Sequence, residues 1–205
     1  MLAALGFKYG TVSANHTATE IIKFFAMAAY DESINLAKLR GSFPAFKYKL
    51  EENNPFINRI LTLLKGHRDI DYVKYGRRNI ALLTIAPTGS VSICTQTTSG
   101  IEPVYMLDDK RKKRKGDIFE EYNVVHPKYQ TYLKITNTNK INDPYIGATA
   151  MDIDVVSKIK MQGDIQKYID HSISVTHNVP KNYPEKHVIS LIYNASPPSP
   201  AISRV

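Results

Sequence analysis

Hydrophobic and polar positions follow a helical spacing near the start of this chain. Between Thr17 and Gly41, apolar or small residues recur every three or four positions, which is typical of one long amphipathic helix. Thr17 and Glu20 form a Thr-x-x-Glu pattern that caps helix N-termini, and Gly41 is a C-terminal signal. The predicted inward positions are Ile22, Phe25, Ala29, Ser33, Leu36 and Arg40. We therefore predict a helix that closes at Gly41 and faces the protein core.

Shorter elements follow in alternation. Residues 55–64 and 68–75 each predict a short helix, whereas 43–54 shows no regular pattern. The continuous apolar run at 80–86 predicts a buried strand, and a helix is predicted to begin at 90–95. Alternating helices and strands favour an α/β fold.

The second half continues this alternation. We predict a strand at 119–125, helices at 127–135 and 155–169, and a polar loop at 136–144. At 172–179, apolar and polar residues alternate strictly, which is the period-two pattern of a strand packed on one face. After Pro180, a final short helix is predicted from Pro184, Val188, Ile189, Leu191 and Ile192.

Composition fits an ordinary globular protein, with 43% hydrophobic and 22% charged residues. No apolar run approaches the roughly 20 residues that span a bilayer, and the first residues lack the basic lead of a secretory signal. The single cysteine, Cys94, supports neither a disulfide framework nor a zinc site. We therefore expect a cytoplasmic chain without a membrane partner or a metal, in which Cys94 is a small, partly buried hydrophobe.

The formal net charge of +8 is concentrated in one segment. Lys110 to Lys115 contributes six of the 27 basic residues, and the other 21 nearly balance the 19 acidic residues. Aromatic residues do not interleave with this run as they do on surfaces that stack nucleic-acid bases. We interpret the run as a solvated loop and expect no nucleic-acid partner, with attraction to polyphosphate or RNA as the weaker alternative.

The turn after the apolar run carries the candidate chemistry. Pro87, Thr88, Gly89 and Ser90 combine turn-forming residues with hydroxyl donors, and the N–H groups of a following helix would point back at the turn. This pattern fits a phosphate cradle and a structural turn about equally well.

A longer string around the turn favours the phosphate cradle. Residues 76–92 are GRRNIALLTIAPTGSVS, and TSGIEP follows at 98–103. This string resembles the catalytic subunit of ribonucleotide reductases, most closely the adenosylcobalamin-dependent kind. Segments that continue the similarity in the same order are LGFKYG at 5–10, GSFPAF at 41–46, AMDID at 150–154 and DHSISVT at 170–176.

The resemblance implies the second half of the ribonucleotide reductase α/β barrel, which is built from two parallel half-sheets. Residues 1–193 would form this incomplete barrel domain, whereas 194–205 carries three prolines and shows no resemblance. We interpret 194–205 as the mark of a truncated or split chain, with a natural disordered tail as the alternative. The implied partner is the N-terminal half of the reductase or a split-gene subunit that supplies it.

The activity implied by the resemblance is radical reduction of the ribose 2′-hydroxyl of a ribonucleoside di- or triphosphate, with adenosylcobalamin as the radical source. Arg77 and Arg78 are supporting candidates for the site, although a surface ion-pair role is favoured for both, and Glu102 would orient the loop. The residues that match the family's substrate-phosphate loop are Pro87, Thr88, Gly89, Ser90, Val91 and Ser92.

The radical cysteine of the family lies in an Asn-x-Cys-x-Glu motif, which this sequence lacks, and the family's re-reducing cysteine pairs are absent too. We therefore assign no catalytic residue and expect an inactive chain when it is alone. His126 and His177 are interpreted as hydrogen-bonded structural residues because their spacing holds no metal. Two alternatives stay open: a fragment of an iron-dependent class I reductase and a non-catalytic nucleotide-binding remnant.

Overall fold

The computed structural model describes residues 1–64, 66, 68–116, 118–136, 143–179, 181–187 and 189–190. A 3-10 turn at Ala3–Leu5 precedes the main elements. In chain order these are α1 (Val12–Arg40), α2 (Tyr48–Glu51), α3 (Pro55–Leu63), α4 (Arg68–Tyr75), α5 (Gly89–Thr95), β1 (Asp108–Lys115), β2 (Ile118–Val125), α6 (Pro127–Thr136) and α7 (Val155–Gln166).

Some predictions fall partly or wholly outside the described residues. These are the loop at 136–144, the strand end at Pro180, the helix positions Val188, Leu191 and Ile192, and the tail at 194–205. Of the predicted final helix, residues 185–187, 189 and 190 are described and helical.

Two compact units share the chain. The unit that we call the core unit comprises Ala18–Ala86 and Gln162–Ile173. The other, which we call the loop unit because it holds residues 87–92, comprises Met1–Thr17, Pro87–Met161 and Ser174–Val205.

The core unit is organised around apolar side chains from three helices. Asn54 fixes the start of α3, because its side chain accepts the N–H groups of Phe56 (3.0 Å) and Ile57 (3.4 Å), and Pro55 occupies the first turn. Amphipathic spacing then directs the apolar face of α3 inward. The buried cluster consists of Ala26, Tyr30, Ile34, Ile57, Ile60, Leu64 and Tyr72.

Helix α1 begins earlier than the sequence predicts, so the capping prediction is wrong. Thr11 starts the helix by accepting the Ala14 N–H (3.3 Å), whereas Thr17 lies inside it and Glu20 pairs with Lys23 (3.2 Å). Gly41 ends the helix as predicted, with a left-handed φ of +78°.

The predicted inward face of α1 is also partly wrong. Phe25 is 57% exposed, while its neighbour Ala26 is fully buried together with Tyr30 and Ile34. Apolar residues occupy every face of α1 around residues 21–29, so helical periodicity alone does not select the buried one.

The segment at 80–86 is extended but does not form the predicted buried strand. Its pairing within the described residues is one parallel bridge between Ile85 and Ile173, and Leu82 and Leu83 are only half-buried. The segment at 172–179 likewise contributes that single bridge, although Ile173, Val175 and His177 are more buried than the residues between them. The predicted burial alternation therefore holds from Ile173 to His177 but fails at the end of the segment, where Val179 is exposed and Asn178 is partly buried, and the predicted strand does not form.

The loop unit contains an antiparallel hairpin of β1 and β2. The strand predicted at 119–125 is confirmed as β2, but the basic run at 110–115 is strand β1 rather than a loop. Lys112 lies opposite Glu121 and Lys113 opposite Glu120, so acidic residues of one strand face basic residues of the other. Cross-strand charge pairing supplies the reason for a strand in a sequence of low β-propensity.

The short helix α2 lies in the 43–54 segment, for which no helix was predicted, whereas the other helices match their predictions closely. Helix α6 extends one residue beyond 127–135, and α7 ends at Gln166 rather than at 169. Val155, Ile159 and Ile165 are buried at helical spacing. Among the described residues, no helix is both long and apolar enough to cross a membrane.

Candidate functional site

The extended segment before the loop is fixed by Asp170 within the core unit. The Asp170 carboxylate accepts the N–H groups of Leu82 (2.7 Å) and Leu83 (2.9 Å), and it also accepts the hydroxyl of Tyr30 (2.8 Å). The N–H of His171 donates to the Leu83 carbonyl (3.1 Å). Burial and then the Asp170 hydrogen bond raise the pKa of Tyr30, so its hydroxyl remains a donor. Asp170 thus accepts N–H groups that the backbone of a neighbouring strand would accept in a sheet.

The loop itself is anchored through Thr88. The Thr88 N–H and hydroxyl both donate to Ser99 Oγ, at 3.1 and 3.3 Å, and the Gly100 N–H donates to Thr88 Oγ1 (3.1 Å). The Thr88 hydroxyl is therefore held by the 98–103 segment, which contains the TSGIEP sequence.

The helix predicted to begin in the loop is confirmed as α5, which starts at Gly89. The Ser92 hydroxyl donates to the Gly89 carbonyl (2.6 Å), and the Ser92 N–H donates to the Thr88 carbonyl (3.2 Å). Ser92 is buried, whereas Ser90 and Val91 are exposed. Among the three predicted hydroxyl donors, those of Thr88 and Ser92 are engaged in the loop's own structure, and that of Ser90 faces outward.

Cys94 lies on α5 and is exposed, so the prediction of a partly buried residue is wrong. The helix makes only two turns and ends at Gln96, which has a left-handed φ of +55°. A helix this short covers few of its own side chains, which explains why Ile93 beside Cys94 is also 78% exposed.

Arg77 is an ion-pair residue as predicted, but it is buried rather than on the surface. Its guanidinium pairs with Glu51, donates to the Tyr72 hydroxyl (2.5 Å) and donates to the carbonyls of Asn79 and Ile80, both at 3.1 Å. Burial by itself lowers the pKa of Arg77, but the Glu51 hydrogen bond and nearby negative groups raise it above its ordinary value.

Arg78 is exposed and donates to the Ser42 carbonyl (3.4 Å), in contrast to the surface ion pair that was favoured for it. Gly76 precedes both arginines with a φ of +70°, and a Cβ there would approach the Phe46 ring to 2.6 Å. Only glycine therefore fits at the turn that brings Arg77 inward.

Glu102 connects two segments of the loop unit. Its carboxylate accepts the Thr176 N–H (2.7 Å), and the neighbouring Ile101 carbonyl accepts the Tyr9 hydroxyl (2.8 Å). Burial and then the negative charge of Glu102 raise the pKa of Tyr9. Glu102 fixes the end of the 98–103 segment, and the contact with the loop is made by Ser99 and Gly100.

The two histidines predicted to be structural are partly buried in the loop unit. Burial is the largest cause that lowers the pKa of each, and the positive charge of Lys158 adds to the effect at His177. The backbone N–H of His126 donates to the Leu107 carbonyl (2.9 Å). The buried ring atom Nδ1 of His126 has no hydrogen-bond partner among the described residues. Within the same residues, no group of three or more His, Cys, Asp or Glu side chains is placed to hold a metal ion.

Sequence reasoning missed Asp170, Ser99 and Glu51. Asp170 follows the buried Ile169 and precedes the alternating 172–179 segment, and a carboxylate in that position signals nearby donors that need an acceptor. Ser99 was noted only as part of the TSGIEP sequence at 98–103 that resembles the reductase family. Glu51 carried no signal, because it lies in a segment without periodicity.

Comparison with known proteins identifies the family of the chain. A family model described as "Ribonucleotide reductase, barrel domain" matches residues 1–196. The chain therefore belongs to the ribonucleotide reductase barrel domain family.

Individual relatives support the same family. A vitamin B12-dependent ribonucleoside-diphosphate reductase of Mycobacterium tuberculosis is 33% identical over 108 residues, which are 52% of this chain and 13% of that relative. The enzyme of the same name from Thermoplasma acidophilum is 28% identical over 195 residues, covering 87% and 23%. Ribonucleoside-diphosphate reductase 1 subunit alpha of Escherichia coli is 25% identical over 211 residues, covering 91% and 24%. The chain thus spans about an eighth to a quarter of the length of these relatives.

Proposed function

We propose that this chain is part of a ribonucleotide reductase catalytic subunit and supplies its substrate-phosphate loop. The observation that carries the proposal is that the family match includes residues 87–92, where Thr88 is anchored and α5 begins. The substrate would be a ribonucleoside di- or triphosphate, and the reaction would reduce its 2′-hydroxyl.

The phosphate contacts follow from which donors remain outward. Thr88 and Ser92 use their hydroxyls within the loop, so the exposed Ser90 hydroxyl and the first N–H groups of α5 would donate to phosphate oxygens. Pro87 and Gly89 would shape the turn, and Val91 would contribute its N–H. Arg77 and Arg78 remain candidates for a supporting charge through the resemblance alone, because within the core unit Arg77 pairs with Glu51 and Arg78 donates to the Ser42 carbonyl.

The domain proposal follows the resemblance. Residues 1–193 would be the second half of the α/β barrel, incomplete without an N-terminal half on another segment or subunit, and 194–205 would stand apart from it. We place the assembly in the cytoplasm, where the single thiol of Cys94 stays reduced.

The radical chemistry is not assigned to residues of this chain. Adenosylcobalamin is proposed as the cofactor from the relatives that are named B12-dependent, and it would supply the radical chemistry. Cys94 does not match the radical cysteine of the family, because it lies exposed on α5 in the sequence SICTQ rather than in an Asn-x-Cys-x-Glu motif. We therefore derive no step through the cofactor.

Substrate binding gives the direct test. We expect CDP to bind the 205-residue chain in calorimetric titration and Ser90→Ala to weaken binding by about 1–3 kcal/mol, because one charge-assisted hydrogen bond is lost. Thr131→Ala is the matched control, since it removes an exposed hydroxyl that donates to the Pro127 carbonyl of α6 (3.0 Å). Absence of CDP binding, or equal effects of the two variants, would overturn the proposal.

A complementation assay then tests the reductase assignment. We expect CDP reduction when the chain is combined with the N-terminal part of a B12-dependent relative and adenosylcobalamin. Activity with an iron-containing partner subunit instead would favour the class I alternative. CDP binding without reduction in either assembly would leave a nucleotide-binding remnant.

A further inference from the structure

The hairpin gives the basic run surroundings that the sequence does not suggest. Along the chain, no aromatic residue interleaves with 110–115. The antiparallel register, however, places Phe119 directly opposite Arg114, and Tyr122 also lies opposite a residue of the run. Phe119 is 62% exposed and Tyr122 46% exposed. Strand pairing therefore brings exposed aromatic side chains to the basic strand, although none lies within it.

One face of the hairpin combines charge with an aromatic ring. Residues directly opposite each other share a face, and successive residues of a strand alternate between the two faces. We call the face that contains Phe119 the Phe119 face, and its exposed members are Lys110, Lys112, Arg114, Phe119, Glu121 and Asn123. Three of these side chains are cationic and one is acidic, so the face is basic.

The cations of the Phe119 face form a row along β1. Two residues of a strand advance about 7 Å, so Lys110, Lys112 and Arg114 extend over about 14 Å. Lys112 pairs with Glu121 (2.9 Å), but more than half of each side chain is exposed, and a pair of this kind is weak. A linear polyanion can therefore replace Glu121 as the partner of Lys112. Successive phosphates of an extended nucleic-acid strand supply such a row of negative charges.

We propose that the Phe119 face binds single-stranded nucleic acid, with its cations on the phosphate backbone and one base stacked on the Phe119 ring. Single-strand binding without sequence preference combines a cationic track with aromatic side chains, because every base has a π-face. The expectation of no nucleic-acid partner depended on the lack of aromatic residues beside the run, and the hairpin register supplies them. This inference is independent of the proposed function, since no residue of 87–92 belongs to the hairpin.

Fluorescence anisotropy of a labelled oligothymidylate with the 205-residue chain tests the stacking contact. We expect binding in about 50 mM salt, and Phe119→Ala should weaken it roughly tenfold because base stacking is lost. Phe119→Tyr keeps an aromatic ring and should bind like the unaltered chain. Phe24→Ala, which removes a 68% exposed phenylalanine from α1, is the matched control. No binding by the unaltered chain, or equal effects of Phe119→Ala and Phe24→Ala, would overturn the inference.

The salt dependence of the same binding tests the row of cations. Lys110→Gln should reduce the slope of log affinity against log salt by about 0.7, the value for one phosphate contact of a single strand. Lys134→Gln, at an exposed position on α6, should leave the slope unchanged. An unchanged slope in Lys110→Gln would contradict the row. Because Lys110→Gln keeps both Phe119 and Glu121, this test remains decisive even if Phe119→Ala disturbs the hairpin.

Competitors distinguish nucleic acid from other sources of negative charge. Unlabelled oligothymidylate should displace the labelled strand, whereas duplex DNA, inorganic polyphosphate and phosphatidylserine vesicles at equal phosphate concentration should displace it far less, because they offer no unstacked base. Equal displacement by polyphosphate would overturn the inference in favour of general attraction to polyanions, and equal displacement by vesicles would do so in favour of a membrane surface. Displacement by CDP would also overturn it, because the strand would then occupy the proposed substrate site.

Discussion

The core unit and the hairpin of the loop unit both pair acidic with basic residues, but under opposite conditions. In the core unit, the Arg77 side chain is 7% exposed and Glu51 16% exposed, and Tyr72 completes the cluster. On the hairpin, Lys112 and Glu121 form an ion pair of 2.9 Å with more than half of each side chain exposed. Removing one partner of the buried Arg77–Glu51 pair should cost much stability, whereas the exposed Lys112–Glu121 pair should contribute little, because water solvates only the second pair.

The variant Glu51→Gln should show the largest difference between the buried and the exposed ion pair. It leaves the buried Arg77 charge with only neutral acceptors, so we expect a loss of about 3 kcal/mol in the free energy of unfolding. Urea denaturation followed by tyrosine fluorescence measures it. Glu52→Gln, next in sequence and exposed, is the control and should change stability by less than about 0.5 kcal/mol. Equal effects of the two variants would contradict the role given to burial.

Asp170→Asn tests the second acidic group of the core unit. The variant keeps one carbonyl oxygen but loses the charge that accepts the Leu82 and Leu83 N–H groups and the Tyr30 hydroxyl. We expect about 1–3 kcal/mol of destabilisation in urea. Faster amide exchange at Leu82 and Leu83 should accompany it. Asp69→Asn, an exposed position on α4, is the control, and undisturbed exchange at both leucines would refute the contact.

The two partly buried histidines of the loop unit make stability depend on pH. Burial lowers the pKa of His126 and His177, so the folded state favours their neutral forms. Their contribution to stability is therefore present above pH of about 6.5, the ordinary histidine value, and is lost as the pH falls below it. Urea midpoints at a series of pH values measure this loss.

His126→Gln should reduce the slope of stability against pH in that acidic range, because one proton-binding difference between the folded and unfolded states disappears. The exposed His16 on α1 provides the matched variant, His16→Gln. The same slope in His126→Gln as in the unaltered chain would contradict the effect of burial on His126.

The smallest effect is expected on the hairpin. A double-mutant cycle of Lys112→Ala and Glu121→Ala should give a coupling of at most about 1 kcal/mol, because both side chains are solvated. The coupling energy should vanish in about 1 M salt, because the Debye screening length then falls to about 3 Å. A large coupling that resists salt would remove the contrast with the core unit.

The sequence predicted elements best where local signals were strong. The helix predicted at 55–64 is α3, and the apolar spacing after 155 marked α7. It failed where the partner was distant: the basic run became β1 because Glu120 and Glu121 lie across from it, and 80–86 is held by Asp170 rather than by a sheet.

The same distinction between local signals and distant contacts applies to the candidate site. The string at 76–92 sufficed to locate the loop and the family, and the family match confirms the latter. The structure alone shows which hydroxyls face outward. Thr88 contacts Ser99 and Gly100, which are separated from it in the chain by helix α5 and a second turn. The sequence by itself therefore determined most of the helices, the family and where along the chain the turn at 87–92 falls, because short-range spacing and turn residues encode them. Only the tertiary structure decided the burial of Arg77, the pairing of the basic run and the orientation of Thr88, because hydrogen bonds and desolvation between distant residues set them.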